Sequence, residues 1–435
     1  MMMNTEACYR ALGARDKRFE GQFFIAVKTT GIFCRPICPA RTPKAANVEF
    51  YPSAAAAHGA GFRPCLRCRP EVAPFSAAWQ GTEATVTRAL RMIEQGALDD
   101  DDLEGFAGRL GVSGRHLRRL FDQYVGASPV EVALTQRVLF AKELISDTQM
   151  PLTDVAFAAG FRSVRRFNDA FQSVYHRPPR EIRRGSAAVE ARHWEIRLPF
   201  VGPYRWDLLA QFVQPRLIEG LESLEGNIYR RQTEDGTIQA EFRADAEHIL
   251  LRLPRAAARR TGEWAKMARS FFDTGANPQG IAAGLSSELP IVVGIRVPGA
   301  WSEMEVAVRA VLGQQISVAV ATRLAAKLWE RSGGFTAERL TRVDLSGIGL
   351  SARQQTTIRG LSEGVISGTV RWNRPETLQM VKGIGPWTAG YVAMRLGDPD
   401  AFPVGDLYLK PFGDGAQFRP WRAYAAMSIW MQGRA

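Results

Sequence analysis

Cys34-Arg35-Pro36-Ile37-Cys38 and, after 26 further residues, Cys65-Leu66-Arg67-Cys68 decide the fold of the N-terminal part of the chain. Two close cysteine pairs on separate turns can converge on one tetrahedral zinc ion, with zinc–sulfur distances of about 2.3 Å. A small domain with little hydrophobic core gains much of its folding free energy from such a metal. The spacing alone therefore predicts one structural Zn²⁺ ion with four thiolate ligands: Cys34, Cys38, Cys65 and Cys68.

The composition places this zinc site in a larger protein with a polyanionic partner. The chain has 435 residues, a formal net charge of +12 and 46% hydrophobic residues, which predict two to four globular domains. The sequence begins without an apolar signal segment, and no apolar run is long enough to span a bilayer. Five cysteines, four of them clustered, fit a metal better than disulfides, so a cytoplasmic location without a membrane partner is expected.

The neighbours of the cysteines give a more specific signal. Lys28–Cys38 and Gly61–Cys68 closely resemble the N-terminal domain of the Ada-type adaptive-response regulators. The resemblance implies that Cys34 accepts a methyl group from a methylated DNA phosphate while the other three cysteines stay ligands. Zinc is then activating as well as structural, because it keeps a nucleophilic thiolate deprotonated at neutral pH. Three residues are implied near the target phosphate, with ordinary solvated surface as the alternative: Thr30, Arg41 and Arg67.

Two similar helical units follow the cysteine region. Each combines a short apolar helix, a turn at Gly111 or Gly160, and an N-cap at Ser113 or Ser163 before a second amphipathic helix. The outward arginines of the second helices are predicted to bind DNA: Arg115, Arg118, Arg162, Arg165 and Arg166. Together the units resemble an AraC-type DNA-binding domain, which implies double-stranded DNA and RNA polymerase as partners. For either unit alone, a helical hairpin with solvated arginines is the alternative.

Lys382-Gly383-Ile384-Gly385-Pro386 is a third DNA-binding signal. Gly383 and Gly385 allow a tight turn whose N–H groups reach a phosphate, and Pro386 suits the first helical position. Because such a turn binds the DNA backbone, it has no sequence preference. A plain loop between helices is the alternative. With Asp406 further along the chain, the segment resembles the helix-hairpin-helix DNA glycosylases.

Val308–Ser317 and Arg419–Ala425 are similar to the AlkA-type alkyl-base glycosylases. The resemblance begins near His193 and implies that Asp406 stabilises a positive sugar or orients water while the base leaves. For Asp406 taken alone, a helix N-cap is the alternative role. A tryptophan stands where strand-cutting relatives have a lysine, which implies a monofunctional glycosylase that hydrolytically excises alkylated bases such as 3-methyladenine. The implied base and DNA contacts, with core packing as the alternative for each aromatic side chain, are Trp387, Tyr391, Trp430, Gln314 and Gln315. The three rings would form a cleft that favours cationic bases.

The connector after Asp406 departs from the glycosylase pattern. It is shorter than in that family, where it includes a helix, and Lys410–Gly415 is predicted to be a loop. The position of Asp406 relative to Trp430 is therefore open at the level of sequence.

The patterns predict an α+β multidomain protein. Its domains would be a small zinc-bound α/β domain at 1–78, an all-α double helix-turn-helix domain at 82–186, an antiparallel α+β domain at 192–290 and an all-α helix-hairpin-helix domain at 291–435. The segment Gly185–Ala188 is the predicted linker.

Three hypotheses follow for the function of this chain, which is expected to be a monomer. The first is a DNA alkylation repair protein and adaptive-response regulator that transfers phosphotriester methyl groups and excises alkylated bases. The second is a zinc-sensor activator whose glycosylase domain is degenerate and only binds DNA. The third is a structural zinc protein without chemistry. An alkylguanine transferase domain is not expected, because the sequence has no Pro-Cys-His-Arg segment.

Overall fold

The structure is a computed structural model that describes residues 5–16, 19–70, 84–94, 96–100, 102–183, 193–372 and 374–433. The chain divides into two compact units. The first unit comprises Met1–Val201, Asp235–Lys266 and Thr274–Asn277, and the second comprises Gly202–Glu234, Met267–Asp273 and Pro278–Ala435. Helices and two sets of strands confirm the predicted α+β class. The predicted linker Gly185–Ala188 lies outside the described residues, and the four domain limits stay predictions.

The N-terminal part of the first unit is built on a small sheet. Its elements are α1 (Thr5–Ala14), β1 (Phe24–Val27), β2 (Ile32–Cys34), β3 (Val48–Tyr51), α2 (Ala54–Gly59) and β4 (Arg63–Pro64). The strand order is β3-β1-β2-β4, and Phe24 meets Phe33 edge-on with 5.8 Å between ring centroids. β4 runs parallel to β2 with Phe33 opposite Pro64. The residues that follow this pair, Cys34 and Cys65, therefore come to the same end of the sheet.

A helical region follows in the first unit. Its elements are α3 (Ala84–Glu94), α4 (Ala97–Asp100), α5 (Leu103–Arg109), α6 (Gly114–Tyr124), α7 (Pro129–Asp147), α8 (Leu152–Ala158), α9 (Val164–Tyr175) and α10 (Pro179–Ile182). The predicted N-caps are confirmed, because Ser113 Oγ accepts the N–H of His116 and Ser163 Oγ accepts the N–H of Arg166, each at 3.3 Å. The left-handed turn at the end of α9 is made by His176, with φ 54°.

The region after residue 192 combines strands and helices in chain order. They are β5 (His193–Pro199), α11 (Trp206–Val213), β6 (Glu222–Glu225), β7 (Ile228–Thr233), β8 (Gly236–Arg243), β9 (His248–Pro254), α12 (Thr261–Phe271) and α13 (Pro278–Leu285). In the first unit β9 pairs antiparallel with both β5 and β8. In the second unit β6 and β7 form an antiparallel hairpin. β5 buries Trp194, Ile196 and Leu198 in alternation, as expected for a strand with one buried face.

One acidic residue joins three parts of the first unit. Asp147, the last residue of α7, is nearly buried and pairs with Arg69 at 2.9 Å and with Arg197 at 3.3 Å. Arg69 directly follows the zinc-ligand candidate Cys68, and Arg197 belongs to β5. Shared ion pairing therefore links the cysteine region, the helical region and β5 within this unit.

The rest of the second unit is helical. Its elements are α14 (Glu303–Leu312), α15 (Val318–Ser332), α16 (Ala337–Arg342), α17 (Ala352–Ile366), α18 (Pro386–Arg395) and α19 (Arg422–Gln432). α14 has buried residues on every face of the helix, as expected for a helix at the centre of a core. Leu361 of α17 and Val392 of α18 belong to the same apolar cluster. α14 is therefore the central element around which the other helices pack.

Candidate functional sites

Four sulfur atoms meet at one end of the N-terminal sheet. The Sγ atoms of Cys34, Cys38, Cys65 and Cys68 all lie within 4.8 Å of one another. A tetrahedral ion with zinc–sulfur bonds of about 2.3 Å needs sulfur–sulfur separations of about 3.8 Å, which this cluster can supply. Four soft sulfur donors suit zinc rather than calcium or magnesium. The residues therefore fit one tetrahedral Zn²⁺ ion.

Hydrogen bonds connect the sulfurs to the backbone and to one another. The N–H of Arg35 donates to Cys68 Sγ, and the N–H of Cys68 donates to Cys65 Sγ, each at 3.5 Å. Hydrogen bonding with Cys34 lowers the pKa of Cys38 to about 7, whereas hydrogen bonding with Cys38 raises the pKa of Cys34. Thiols this close cannot titrate independently. A bound divalent cation stabilises all four cysteine side chains as thiolates, so their titrations no longer oppose one another.

Cys34 differs from the other three cysteines in exposure. Cys34 is half-buried, whereas Cys38, Cys65 and Cys68 are buried. A nucleophile needs a path by which its target can approach, so Cys34 is the sulfur best placed to react. The residues predicted to surround the target phosphate are all exposed: Thr30, Arg41 and Arg67. The fifth cysteine, Cys8, is buried on α1 outside this cluster, as expected for a small apolar core residue.

The predicted DNA-binding arginines lie on the exposed faces of two helix-turn-helix units. The second helix of each unit, α6 or α9, buries its apolar side against the helical core, with Leu117 and Phe167 fully buried. The opposite faces, together with the turn before α9, leave the following side chains exposed: Arg115, Arg118, Arg162, Arg165 and Arg166. This arrangement provides two basic surfaces of the kind that enter DNA grooves.

A cavity of about 210 Å³ opens among the helices of the second unit. Aromatic side chains from six segments line it: Phe212, Phe271, Trp301, Trp387, Tyr391, Tyr408 and Trp430. Trp387 and Tyr391 are one turn apart on α18, and their rings stack with 5.4 Å between centroids and 10° between planes. Parallel ring faces at a concave surface suit a planar heteroaromatic ligand.

Asp406 contributes a carboxylate to this cavity. Its Oδ2 accepts a hydrogen bond from Trp387 Nε1 at 3.1 Å, and its Oδ1 accepts hydrogen bonds from Trp430 Nε1 at 2.9 Å and from the N–H of Tyr408 at 3.0 Å. These neutral donors fix the orientation of the carboxylate. Within the described residues it has no arginine or lysine partner, so its negative charge stays available to a positive group in the cavity.

The connector after Asp406 has one short turn within the predicted loop Lys410–Gly415 and a second turn directly after it. Lys410–Phe412 and Ala416–Phe418 each form a single 3-10 turn. Phe418 is fully buried and packs against Phe412 with 5.3 Å between ring centroids. The shorter connector nevertheless brings Asp406 into contact with Trp430, which answers the question that the sequence left open.

A buried ion network lies beside the aromatic rings. Arg309 Nη1 donates to Glu222 Oε2 at 3.2 Å and to Glu305 Oε1 at 2.8 Å, while Arg231 Nη1 donates to Glu222 Oε1 at 3.0 Å. Arg231 also pairs with Glu305. Burial alone would raise the pKa of Glu222, but the charges of Arg309 and Arg231 lower it. Because the two acids and two bases balance, the network holds the cavity wall without a net charge.

The predicted DNA-entering pair, Gln314 and Gln315, divides into two roles. Gln314 Nε2 donates to the carbonyl of Gly383 and to Thr388 Oγ1, both at 3.0 Å, so its side chain ties this turn to the helix-hairpin-helix turn. Gln315 is exposed with φ 61° at the tip of the turn. Neither glutamine lines the cavity. Of the pair, Gln315 has the exposed side chain, and its entry into DNA stays a prediction.

The two glycines of the hairpin are used differently. Gly383 has φ 98°, and a Cβ there would lie 2.1 Å from Thr357 Oγ1. Gly385 has φ −103° and open space around it, and it precedes the first turn of α18. Only Gly383 is thus required by the fold, whereas Gly385 leaves the helix N-terminus uncovered.

Several cavity residues are not among those predicted from the sequence. Phe212 of α11 and Trp301 line the cavity from outside the recognisable motifs, whereas Arg309 lies within the AlkA-like segment Val308–Ser317 and Arg395 lies on α18. Arg395 lies four residues after Tyr391 on α18, and this helical spacing is the signal by which it could have been found.

Comparisons with known proteins assign the chain to a family. Family models match three successive parts of it: the metal binding domain of Ada at residues 7–71, a helix-turn-helix domain at 106–185 and the AlkA N-terminal domain at 195–302. The "Probable bifunctional transcriptional activator/DNA repair enzyme AlkA" of Mycobacterium tuberculosis is 37% identical over 476 aligned residues, covering 98% of this chain and 96% of that protein. The chain belongs to the Ada–AlkA family.

Two further relatives of this Ada–AlkA chain each match one part of it. The "Bifunctional transcriptional activator/DNA repair enzyme Ada" of Escherichia coli is 34% identical over 42% of this chain and 51% of that protein. The "DNA-3-methyladenine glycosylase 2" of Escherichia coli is 31% identical over 52% of this chain and 94% of that protein. The fusion predicted from the motifs is thereby confirmed.

Zinc is confirmed as the cofactor of the Ada–AlkA chain. The matched metal binding domain of Ada contains all four clustered cysteines, and their sulfur geometry fits one ion. Among the helices in the described ranges, none has both the length and the apolar character needed to cross a membrane.

Proposed function

We propose that this Ada–AlkA protein repairs methylated DNA by two chemistries and regulates transcription. The observation that supports base excision is Asp406, whose carboxylate is oriented by Trp387 and Trp430 at an aromatic cavity and has no cationic partner within the described residues. A degenerate glycosylase domain would have no need to keep an oriented, unneutralised carboxylate there.

The excision step follows from this arrangement. A nucleotide flipped out of the duplex places its base against the stacked rings of Trp387 and Tyr391. The C1′–N bond breaks with both electrons going to the base, and Asp406 stabilises the positive charge that develops on the sugar. Water then bonds to C1′ and releases its proton. Among the described residues, those lining the cavity include no lysine, which supports monofunctional hydrolysis of alkylated bases such as 3-methyladenine.

The methyl transfer uses the accessible cysteine of the zinc site. Zinc, when bound, holds the four thiolates deprotonated. Cys34 Sγ attacks the methyl carbon of a DNA methylphosphotriester, and the electrons of the methyl–oxygen bond return to the phosphate. Thr30, Arg41 and Arg67 surround the phosphate. Loss of one thiolate charge reduces repulsion of the DNA backbone, so methylation strengthens DNA binding.

The helix-turn-helix units supply the regulatory part of the proposal. α6 and α9 bind double-stranded DNA through their exposed arginines, and Gly383, Gly385 and Gln315 contact DNA at the excision site. We propose that the protein acts as a monomer and positions RNA polymerase at promoters of alkylation-response genes.

The test is release of free base from methylated duplex DNA. The full-length protein should release 3-methyladenine, and Asp406→Asn should release it at least about 100-fold more slowly because the sugar cation loses its counter-charge. Asp414→Asn is the matched control: Asp414 accepts the N–H of Ala416 outside the cavity, and asparagine can keep this bond. A folded wild-type protein that binds DNA but releases no base would instead identify an activator with a degenerate glycosylase domain.

A further inference from the structure

A fixed arginine forms part of the cavity wall beside Tyr391. Arg395, in the last turn of α18, donates from Nη1 to Tyr391 Oη at 2.7 Å and from Nη2 to the carbonyl of Gly299 at 2.7 Å. Its Nε donates to the carbonyl of Pro298. With two backbone carbonyls holding the other edges of the planar guanidinium, the group is constrained to keep its hydrogen bond to the tyrosine.

The hydroxyl group of Tyr391 can still donate a hydrogen bond. A phenol has one hydrogen to donate and an oxygen that accepts, and here the oxygen accepts from Arg395. Within the described part of the chain the structure gives this hydrogen no acceptor, and Tyr391 lines the cavity. Burial would raise the pKa of Tyr391, but the charges of Arg395 and Arg216 outweigh burial and lower it. The phenol is therefore a strengthened donor.

Arginines already occupy positions over several of the aromatic rings, Phe212 and Tyr391 among them. The guanidinium of Arg395 lies 5.6 Å from the Tyr391 ring centroid and 5.3 Å from that of Phe212, while Arg216 lies 3.8 Å from Phe212. These contacts use part of the attraction that the rings would offer to a cationic base. The positive charges of these arginines also repel a cationic base, whereas they do not repel an uncharged base. The sequence-based expectation that the rings favour cationic bases therefore does not take these arginine charges into account.

We propose that Tyr391 donates a hydrogen bond to the departing base and that Arg395 positions it, so that the pair supports excision of uncharged damaged bases. The inference rests on the proposed glycosylase function. When an uncharged base leaves, the electrons of the C1′–N bond make it negative, and a donor at one of its acceptor atoms stabilises that charge. The proton lost by the attacking water then neutralises the base. A cationic base leaves neutral and needs no donor.

The experiment compares two lesions in otherwise identical duplexes, under single-turnover conditions with the full-length protein. Hypoxanthine is uncharged and has acceptor atoms, whereas 7-methylguanine is cationic. Tyr391→Phe keeps the ring stacked on Trp387 and removes only the hydroxyl. It should slow hypoxanthine release roughly 100-fold and 7-methylguanine release by less than about threefold. Tyr424→Phe, which removes a hydroxyl bound to Asp273 away from the cavity, should leave the ratio of the two rates unchanged.

Arg395 is tested as a positioning residue by the same ratio. Arg395→Met should reduce hypoxanthine release selectively, and Arg395→Lys should restore part of it because a positive charge returns near the phenol. A purely structural role would lower both rates together. Circular dichroism and binding to undamaged duplex confirm that each variant is folded.

The outcomes separate this inference from the function on which it rests. If the wild-type protein releases neither of these bases nor 3-methyladenine, the proposed glycosylase function fails and the inference fails with it; if it releases the cationic bases but no hypoxanthine, only the inference about uncharged bases is overturned. If the wild-type protein releases both bases and Tyr391→Phe slows them equally, or slows neither, only the role of Tyr391 is overturned.

Discussion

Cys34 and Asp406 show how local surroundings give one residue a chemical role. Cys34 shares its ligand geometry with three other cysteines, and its greater exposure alone distinguishes it. Asp406 is one of many acidic residues, and it is distinguished by two indole donors that orient its carboxylate without neutralising it. In both cases reactivity depends on access and charge at the scale of single side chains.

Cys34 supports a prediction at this scale. After incubation with DNA that contains methylphosphotriesters, the peptide containing Cys34 should gain one methyl group, since its thiolate is the accessible one. The peptide containing Cys8 is the internal control because this thiol is buried outside the cluster. Cys34→Ser should abolish the gain, as measured by mass spectrometry. Methylation that appears instead on Cys38, Cys65 or Cys68 would contradict the assignment of the acceptor.

The helix-hairpin-helix shows what a short element needs from the fold around it. Its turn is held from two sides: Thr357 Oγ1 donates to the carbonyl of Lys382 at 3.1 Å, and Gln314 donates to the carbonyl of Gly383 at 3.0 Å. The turn therefore presents its N–H groups in a fixed direction, which is the requirement for binding a phosphate.

The two hairpin glycines give a matched pair of variants. Gly383→Ala should lower the free energy of unfolding by about 2–4 kcal/mol, from left-handed strain and the contact with Thr357. Gly385→Ala should leave stability within about 0.5 kcal/mol but weaken binding to undamaged duplex about tenfold, because a methyl group covers the helix N-terminus. Urea unfolding and fluorescence anisotropy measure the two effects. Equal losses of stability in both variants would contradict this division of roles.

At the scale of the whole molecule, the two candidate chemistries belong to different compact units. All four zinc ligands lie in the first unit, and every residue lining the cavity lies in the second. The apolar clusters around the zinc domain are small, so zinc is expected to supply much of that domain's stability.

Zinc removal should therefore affect the two activities differently. Chelation should abolish methyl transfer and increase hydrogen exchange in residues 24–68, because this region loses the ion that holds the two cysteine pairs together. Base release should stay within about twofold of the untreated rate, since no zinc ligand belongs to the unit that contains the cavity. Restored zinc should recover methyl transfer. A parallel loss of base release would show that the second unit depends on the zinc domain.

The sequence by itself determined the features that depend on short-range spacing. Three features are each encoded within a few residues: the two cysteine pairs, the serine caps of α6 and α9, and the turn around Gly383. The spacing of metal ligands, helix capping and backbone dihedral angles are all local properties of the chain. The order of the zinc, helix-turn-helix and glycosylase parts was also readable, since each part contains its own motif.

Only the tertiary structure decided how the cavity is composed. Phe212, Trp301 and Arg395 come from separate segments, and sequence spacing does not encode distances between segments that meet by packing. The same reason explains why the shortened connector could not be judged in advance: its effect depends on where the buried Phe418 anchors it. The motifs located the cavity but not its charges. The structure places the Asp406 carboxylate 2.9 Å from Trp430 and an arginine against Tyr391, and these two charged groups determine the electrostatics of the cavity.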